Sequence, residues 1–131
     1  MRYLSLEWIE AMHSQVTASE SLAQLAHTQD IGVTQVVTDT PDGTVTYHLQ
    51  VGNGNVRFGA GPAPKEHVRL EQSWETAVGV ATSTLSAQEV FIKGHIRVSG
   101  DTQRLVEATG VFAALSIAFE AVRAKTDYER P

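Results

Sequence analysis

The stretch SAQEVFIKGHIRVSGDTQRL, residues 86–105, holds three kinds of local pattern in one short run. Ser86 and Glu89 stand at capping-box spacing, which predicts the start of a short helix carrying Val90 and Phe91. Gly94 ends it as a left-handed cap. The run HIRVS (95–99) then alternates, with Ile96 and Val98 predicted to face inward. Gly100 turns the chain and Asp101 caps a second helix, DTQRLVEA (101–108). Period 3.6 changes to period 2 and back, so helices and strands belong to one α+β layer.

Upstream the same two periods recur. Leu6, Ile9, Met12 and Val16 recur at helical steps beside Trp8, with Ser5 as the predicted cap. Thr17 and Glu20 have capping-box spacing and predict a second helix with Leu22, Leu25 and Ala26 as its stripe. In IGVTQVVTD (31–39), Val33 and Val37 flank Gln35, which leaves the strand's inward face ambiguous. In TVTYHLQV (44–51), Val45, Tyr47, Leu49 and Val51 form an apolar face, and Thr44, Thr46, His48 and Gln50 a wet one. PDG (41–43) joins these two strands as a hairpin. GNGN (52–55) leads into VRFGAG, and a Pro-stiffened loop, GPAPK (61–65), leads into the alternating HVRLEQ (67–72). Trp74, Ala77, Val78, Ala81 and Leu85 share a helical face that TST (82–84) ends. After a break at Gly110, VFAALSIAFEAVRAK (111–125) is apolar nearly all round, which fits core packing, a cover over an apolar cavity, or a dimer contact.

Four strands on short loops predict an antiparallel meander, and the long connection to the fifth permits parallel pairing. The expected architecture is a five-stranded, mostly antiparallel sheet with helices on one face. The chain has 131 residues, which suggests one domain over residues 1–131.

Bulk composition removes several functions. There is no cysteine, hence no disulfide framework, thiol nucleophile or thiolate metal site. Asp and Glu outnumber Lys and Arg by 15 to 10, and the basic residues form no run, so nucleic acid is not an expected partner. No segment resembles a signal peptide or a membrane span, and YERP (128–131) matches no prenylation or peroxisomal address. A soluble, cytoplasmic protein without stable membrane insertion is expected.

Motifs for chemistry are missing too. GNGNVRFG (52–59) lacks dinucleotide-loop spacing and precedes a strand. The histidines, His13, His27, His48, His67 and His95, offer no paired metal face, and His48, His67 and His95 read as solvated residues of an open sheet face. There is no G-x-S-x-G motif, and the pairs Glu7/Glu10 and Asp39/Asp42 read as wet helix face and turn. Neither a metal nor a cofactor is expected.

Ala87, Phe91, Gly94, Ile96, Val98, Gly100, Asp101 and Leu105 carry a pattern that resembles the signature of the sterol carrier protein type 2 family. YLSLEWIEAM (3–12), VVTDTPDGTVTYHLQVGNGNVRFGAGPAP (36–64) and VRLEQSWETAVGVATSTL (68–85) extend the resemblance to stand-alone bacterial members. Ser73-Trp74 and Leu85-Ser86 depart from it, where the family often has an acidic residue and Asn-Pro. The resemblance implies a hydrophobic tunnel between sheet and helices and non-catalytic binding, with possible transfer, of a fatty acid, fatty acyl-CoA, sterol or isoprenoid-like lipid. Tyr47, Leu49, Phe58, Leu70 and Val98 would line the tunnel from the sheet. Trp74, Val78, Phe91, Phe112, Leu115 and Phe119 would line it from the helices.

Two other readings stay open. One is a small α+β enzyme acting on an apolar substrate, for which Asp39 or His48 would have to enter the pocket. The other is an interaction module forming a homodimer through its apolar C-terminal helix.

Overall fold

Ser5 starts the first helix of the computed structural model, which describes residues 1–82, 84–85 and 87–128. Its hydroxyl accepts the Trp8 amide N–H at 3.2 Å. Helix α1, Leu6–Ala18, buries Trp8, Ile9, Met12 and Val16 along one face. Helix α2 spans Glu20–Leu25, and its cap is Ser19, whose hydroxyl accepts Leu22 N–H at 3.2 Å. The expected Thr17 cap is therefore wrong. Thr17 still lies inside α1, and its hydroxyl donates back to the His13 carbonyl at 2.8 Å.

Strands β1 (Ile31–Thr40), β2 (Gly43–Gly52) and β3 (Asn55–Ala60) form a meander. Asn53 and Gly54 both have positive φ, the backbone a two-residue hairpin requires. Strand β4 (Val68–Ser73) leads into α3 (Trp74–Ala81), where the Ser73 hydroxyl accepts Thr76 N–H at 3.2 Å. Then come α4 (Ala87–Ile92), β5 (Ile96–Gly100), α5 (Thr102–Glu107) and α6 (Thr109–Arg123). Asp101 caps α5 as expected, accepting Arg104 N–H at 3.0 Å. The chain breaks at Ala108, not at Gly110, which lies within α6. The Ser86 cap and the Phe91 side chain lie outside the described residues.

The five-stranded sheet is confirmed, but its connections differ from the expected meander. The order is β3-β2-β1-β4-β5, with β4 parallel to β1 and β5 antiparallel to β4. Residues 61–67 therefore carry the chain across β2 and β1, a distance of about 14 Å at usual strand spacing. So short a crossover suffices because little return along the sheet is needed. Strand β3 ends at Ala60, level with Gln35, and β4 begins at Val68, level with Val33. The pair α3–α4 brings the chain back at Ile96, beside Gln72, so β5 runs against β4.

The crossover forms a strap over the outer face of the sheet. Ala63 N–H donates to the Thr34 hydroxyl at 3.0 Å, Lys65 N–H to Gln50 Oε1 at 3.1 Å, and His67 N–H to the Gly32 carbonyl at 2.8 Å. Gly32 N–H donates in turn to His67 Nδ1 at 2.9 Å. A side chain at Gly32 would run into the Lys65 carbonyl, so only glycine lets the strap lie this close. His48, expected on a wet face, is only 6% exposed beneath the strap, with Nδ1 3.0 Å from the Gly61 carbonyl. The expected open face of solvated histidines is half covered, and of the three only His95 is exposed.

The helices cover the other face. Trp8 sits at the centre, edge-on to Tyr3, Tyr47 and Phe58 and stacked on Phe119. Helix α6 is more one-sided than its sequence suggests. Val111, Ala114, Leu115, Ala118 and Val122 are buried, while Ile117 is 70% exposed.

Candidate functional site: a recess between sheet and helices

The inward face of the sheet follows from register. Gln35 lies between Tyr47 and Leu70, and Leu70 pairs with Val98, so these four share the face beneath the helices. Gln72, two residues past Leu70, shares it too. A polar residue thus occupies an inward position on β1 and another on β4.

Where α3 and α6 part above these glutamines, the layers leave a recess of about 360 Å³. Gln35, Tyr47 and Gln72 form its floor, Ala77, Val80 and Ala81 the α3 wall, and Ser116, Phe119 and Glu120 the α6 wall, with Tyr3 completing the lining. Small alanines on α3 make the gap: longer side chains there would close it. The rim is wet, since Ser116 and Glu120 are exposed, and the floor is dry around Tyr3 and Tyr47.

The polar groups of the recess are neutral or already paired. Gln72 Nε2 donates to Gln35 Oε1 at 3.4 Å. Burial pushes the Tyr3 phenol well above its ordinary range, and the nearby Tyr47 and Tyr128 phenols add to the rise. Burial likewise raises the Tyr47 phenol, partly offset by the Tyr3 hydroxyl. Neither phenol ionises near neutral pH. Arg123, close to the rim, donates to Glu120 at 3.4 Å and to the Thr82 carbonyl at 2.6 Å. No Lys, Arg or His is among the described residues that line the recess.

Two larger depressions, of about 610 and 590 Å³, lie along the β3 edge. Solvated side chains such as Glu10, Ser14, Asn55 and Arg57 border them, and the one of about 610 Å³ lies between α1 and β3, with Ile9 and Phe58 in its lining. The smaller recess differs in lying over the middle strands β1, β2 and β4, with α3 and α6 as its walls.

Of the residues expected to line a tunnel, the recess gathers Tyr47 and Phe119. Leu49, Phe58, Trp74 and Leu115 are buried in the core, and Leu70, Val78, Val98 and Phe112 pack partly exposed against it. The Phe91 side chain falls outside the described residues. Deeper than the recess, the space the resemblance assigns to a tunnel is filled by Trp8 and its ring neighbours. Tyr3, Gln35, Gln72, Ser116 and Glu120 line the recess and were not foreseen. Gln35 alone had a signal, as a polar residue between two valines.

No group of His, Asp or Glu suited to a metal ion occurs among the described residues. Nor is any described helix long and apolar enough to cross a membrane. Asp39 is exposed in the β1–β2 turn region with positive φ, and His48 lies on the opposite face of the sheet from the recess.

A mixed five-stranded sheet, helices over one face and an opening between the layers define the class, a small α+β fold with a recess in its layer interface. The chain belongs to the SCP-2 sterol transfer family, whose pattern matches residues 8–113. Its general function is accordingly the binding or transfer of a lipid or sterol. No curated protein sequence matches the chain. Among solved structures, it is similar to apo sterol carrier protein 2 from Yarrowia lipolytica, with 16% identity, a TM-score of 0.66, and coverage of 84% of this chain and 88% of that one. It is also similar to a conserved hypothetical protein, possibly a sterol carrier protein, from Thermus thermophilus, with 17% identity, a TM-score of 0.66, and coverage of 97% and 92%. A third is palmitated SCP2L2 from Aedes aegypti, with 17% identity, a TM-score of 0.59, and coverage of 85% and 94%. At these identities the structural likeness establishes the fold.

Proposed function

We propose that the chain binds a hydrophobic molecule in the recess between β1, β2, β4 and the helices α3 and α6, and does so without chemically altering it. The observation that carries this is the position of the opening. It joins the apolar layer interface to solvent, and its inner boundary is an aromatic ring, Phe119, resting on another ring rather than pinned by a hydrogen bond. The fatty acid, fatty acyl-CoA, sterol and isoprenoid classes all supply a suitable apolar body. An acyl chain is the first to test, because a relative of the same fold is described as palmitated.

Size sets the working mode. The recess of about 360 Å³ has room for roughly a dozen non-hydrogen atoms, taking ~30 Å³ as one water's share. Ten buried methylenes contribute about 8 kcal/mol before the entropic cost of association. A longer chain needs Phe119 to swing away from Trp8. Neither Asp39 nor His48 faces the recess, and its only described titratable groups are Tyr3, Tyr47 and Glu120, which favours a holding role over a reaction.

The test is an Ala81→Trp variant on the α3 wall, titrated with a fluorescent acyl probe. Affinity should fall at least about tenfold while the melting temperature stays close to the wild type. Unchanged affinity in a folded variant would remove the recess as the binding site.

A further inference from the structure

We infer that the recess prefers a guest whose head, set against the glutamines of the floor, is an uncharged group with both a hydrogen-bond donor and an acceptor, an alcohol or an amide, over one whose head is a carboxylate. The inference rests on the binding role proposed for the same recess and adds the chemistry of the ligand's head.

The two glutamines decide the head group. Both occupy inward positions of the sheet, where an apolar residue would pack without unmet hydrogen bonds. Their single mutual bond, Gln72 Nε2 to Gln35 Oε1 at 3.4 Å, is long and uses one donor and one acceptor. It leaves Gln35 Nε2 and Gln72 Oε1 without a partner among the described residues. Exchanging N and O in both amides gives the same count, one free donor on one residue and one free acceptor on the other. A hydroxyl or an amide meets both at once. An ionised carboxylate only accepts, so it would satisfy the amide nitrogen and set its second oxygen against the amide oxygen.

Charge points the same way. Removing a carboxylate from water is costly without a cation beside it. The described lining holds no Lys, Arg or His, and its rim carries the like-charged Glu120. Arg123, the nearby cation, already faces Glu120 and the Thr82 carbonyl. At the floor, Tyr3 and Tyr47 add neutral hydroxyls, which can donate or accept. Acyl tails of the same length would fit equally well whatever the head, so the selection is made at the glutamines.

Four ten-carbon probes test this: decanol, decanamide, decane, and decanoate at a pH where it is ionised. Isothermal titration with the full chain should show decanol and decanamide binding at least about tenfold tighter than decanoate. In Gln35→Leu that advantage should disappear while decane binds as well as before. If the leucine variant fails to fold, Gln72→Lys supplies the second readout, since a cation at the floor should reverse the order in favour of decanoate. Decanoate binding the wild type as tightly as decanol overturns the head-group preference and leaves the binding site standing. Failure of all four probes to bind overturns both.

Discussion

Phe119 of α6 lies stacked on Trp8 of α1, with ring centroids 5.8 Å apart and planes inclined by 29°. The contact closes the inner end of the recess, and it also holds α6 against α1. Trp8 is wholly buried, whereas Phe119 is half-buried and faces the recess. The movable partner is therefore Phe119.

Phe119→Ala is expected to enlarge the recess inward. It should cost about 2–3 kcal/mol of stability, below the full range for a wholly buried phenylalanine. Affinity for a palmitoyl-length guest should rise relative to that for a ten-carbon guest. Denaturant unfolding and a chain-length series measure the two effects. A series with unchanged preference would show that Phe119 does not limit guest length.

Trp8 should behave differently. Trp8→Ala would open a cavity among four rings and cost about 3–5 kcal/mol. The Trp8 indole N–H has no hydrogen-bond partner among the described residues, so Trp8→Phe forfeits none there. That variant should lose no more than about half as much as the alanine variant in chemical denaturation. Equal losses would mean that the indole makes a bond essential to the core.

The three tyrosines should separate on alkaline titration. Burial raises Tyr3 and Tyr47, and raises the half-buried Tyr128 as well. A phenol whose folded pKa is raised stabilises the fold fully below its unfolded value near 10, and that contribution is lost as pH climbs through the folded value. Tyr128 should ionise in the folded protein, while Tyr3 and Tyr47 ionise only together with unfolding. Ultraviolet absorbance followed alongside circular dichroism would check this. All three ionising before the fold is lost would contradict the buried floor.

The strap over the outer face should be sensitive to steric change and to acid. Gly32→Ala pushes on the Lys65 carbonyl and should destabilise by about 2 kcal/mol or more. Glu66, in the strap, is held below the usual carboxylate range, first by the Thr34 hydroxyl and then by Arg69. Its contribution is present above the unfolded value near 4.3 and lost as pH falls through the lower folded value. Glu66 is exposed to solvent, so only a few tenths of a kcal/mol should be at stake. Glu66→Gln should flatten that part of the acid unfolding curve, and an unchanged curve would show that Glu66 contributes nothing to it.

Local structure was legible at most positions where side-chain type and spacing decide it, although Ser19 rather than Thr17 caps α2 and Gly110 lies within α6. Ser5, Asp101, the PDG hairpin and the Tyr47/Leu49 alternation all appear where the sequence places them. Sheet partners were less legible, because alternation tells which face a residue takes and not which strand lies beside it. His48 went unread for a related reason: the strap that buries it comes from residues 61–67 and is bound by backbone groups that no hydropathy pattern reports. The recess was half visible. Two of its rings, Tyr47 and Phe119, were expected and Tyr3 was not, while its glutamines are polar residues on an apolar face, and only their juxtaposition across β1 and β4 gives them a meaning.

Where the guest sits decides everything proposed for the recess. Intermolecular nuclear Overhauser effects from bound decanol, recorded on the full chain, would locate it. Contacts are expected to the Ala77 and Ala81 methyls and the Phe119 ring. Contacts instead to Leu6, Ile9 and Ala60, in the depression between α1 and β3, would place the guest elsewhere and refute the recess as its site.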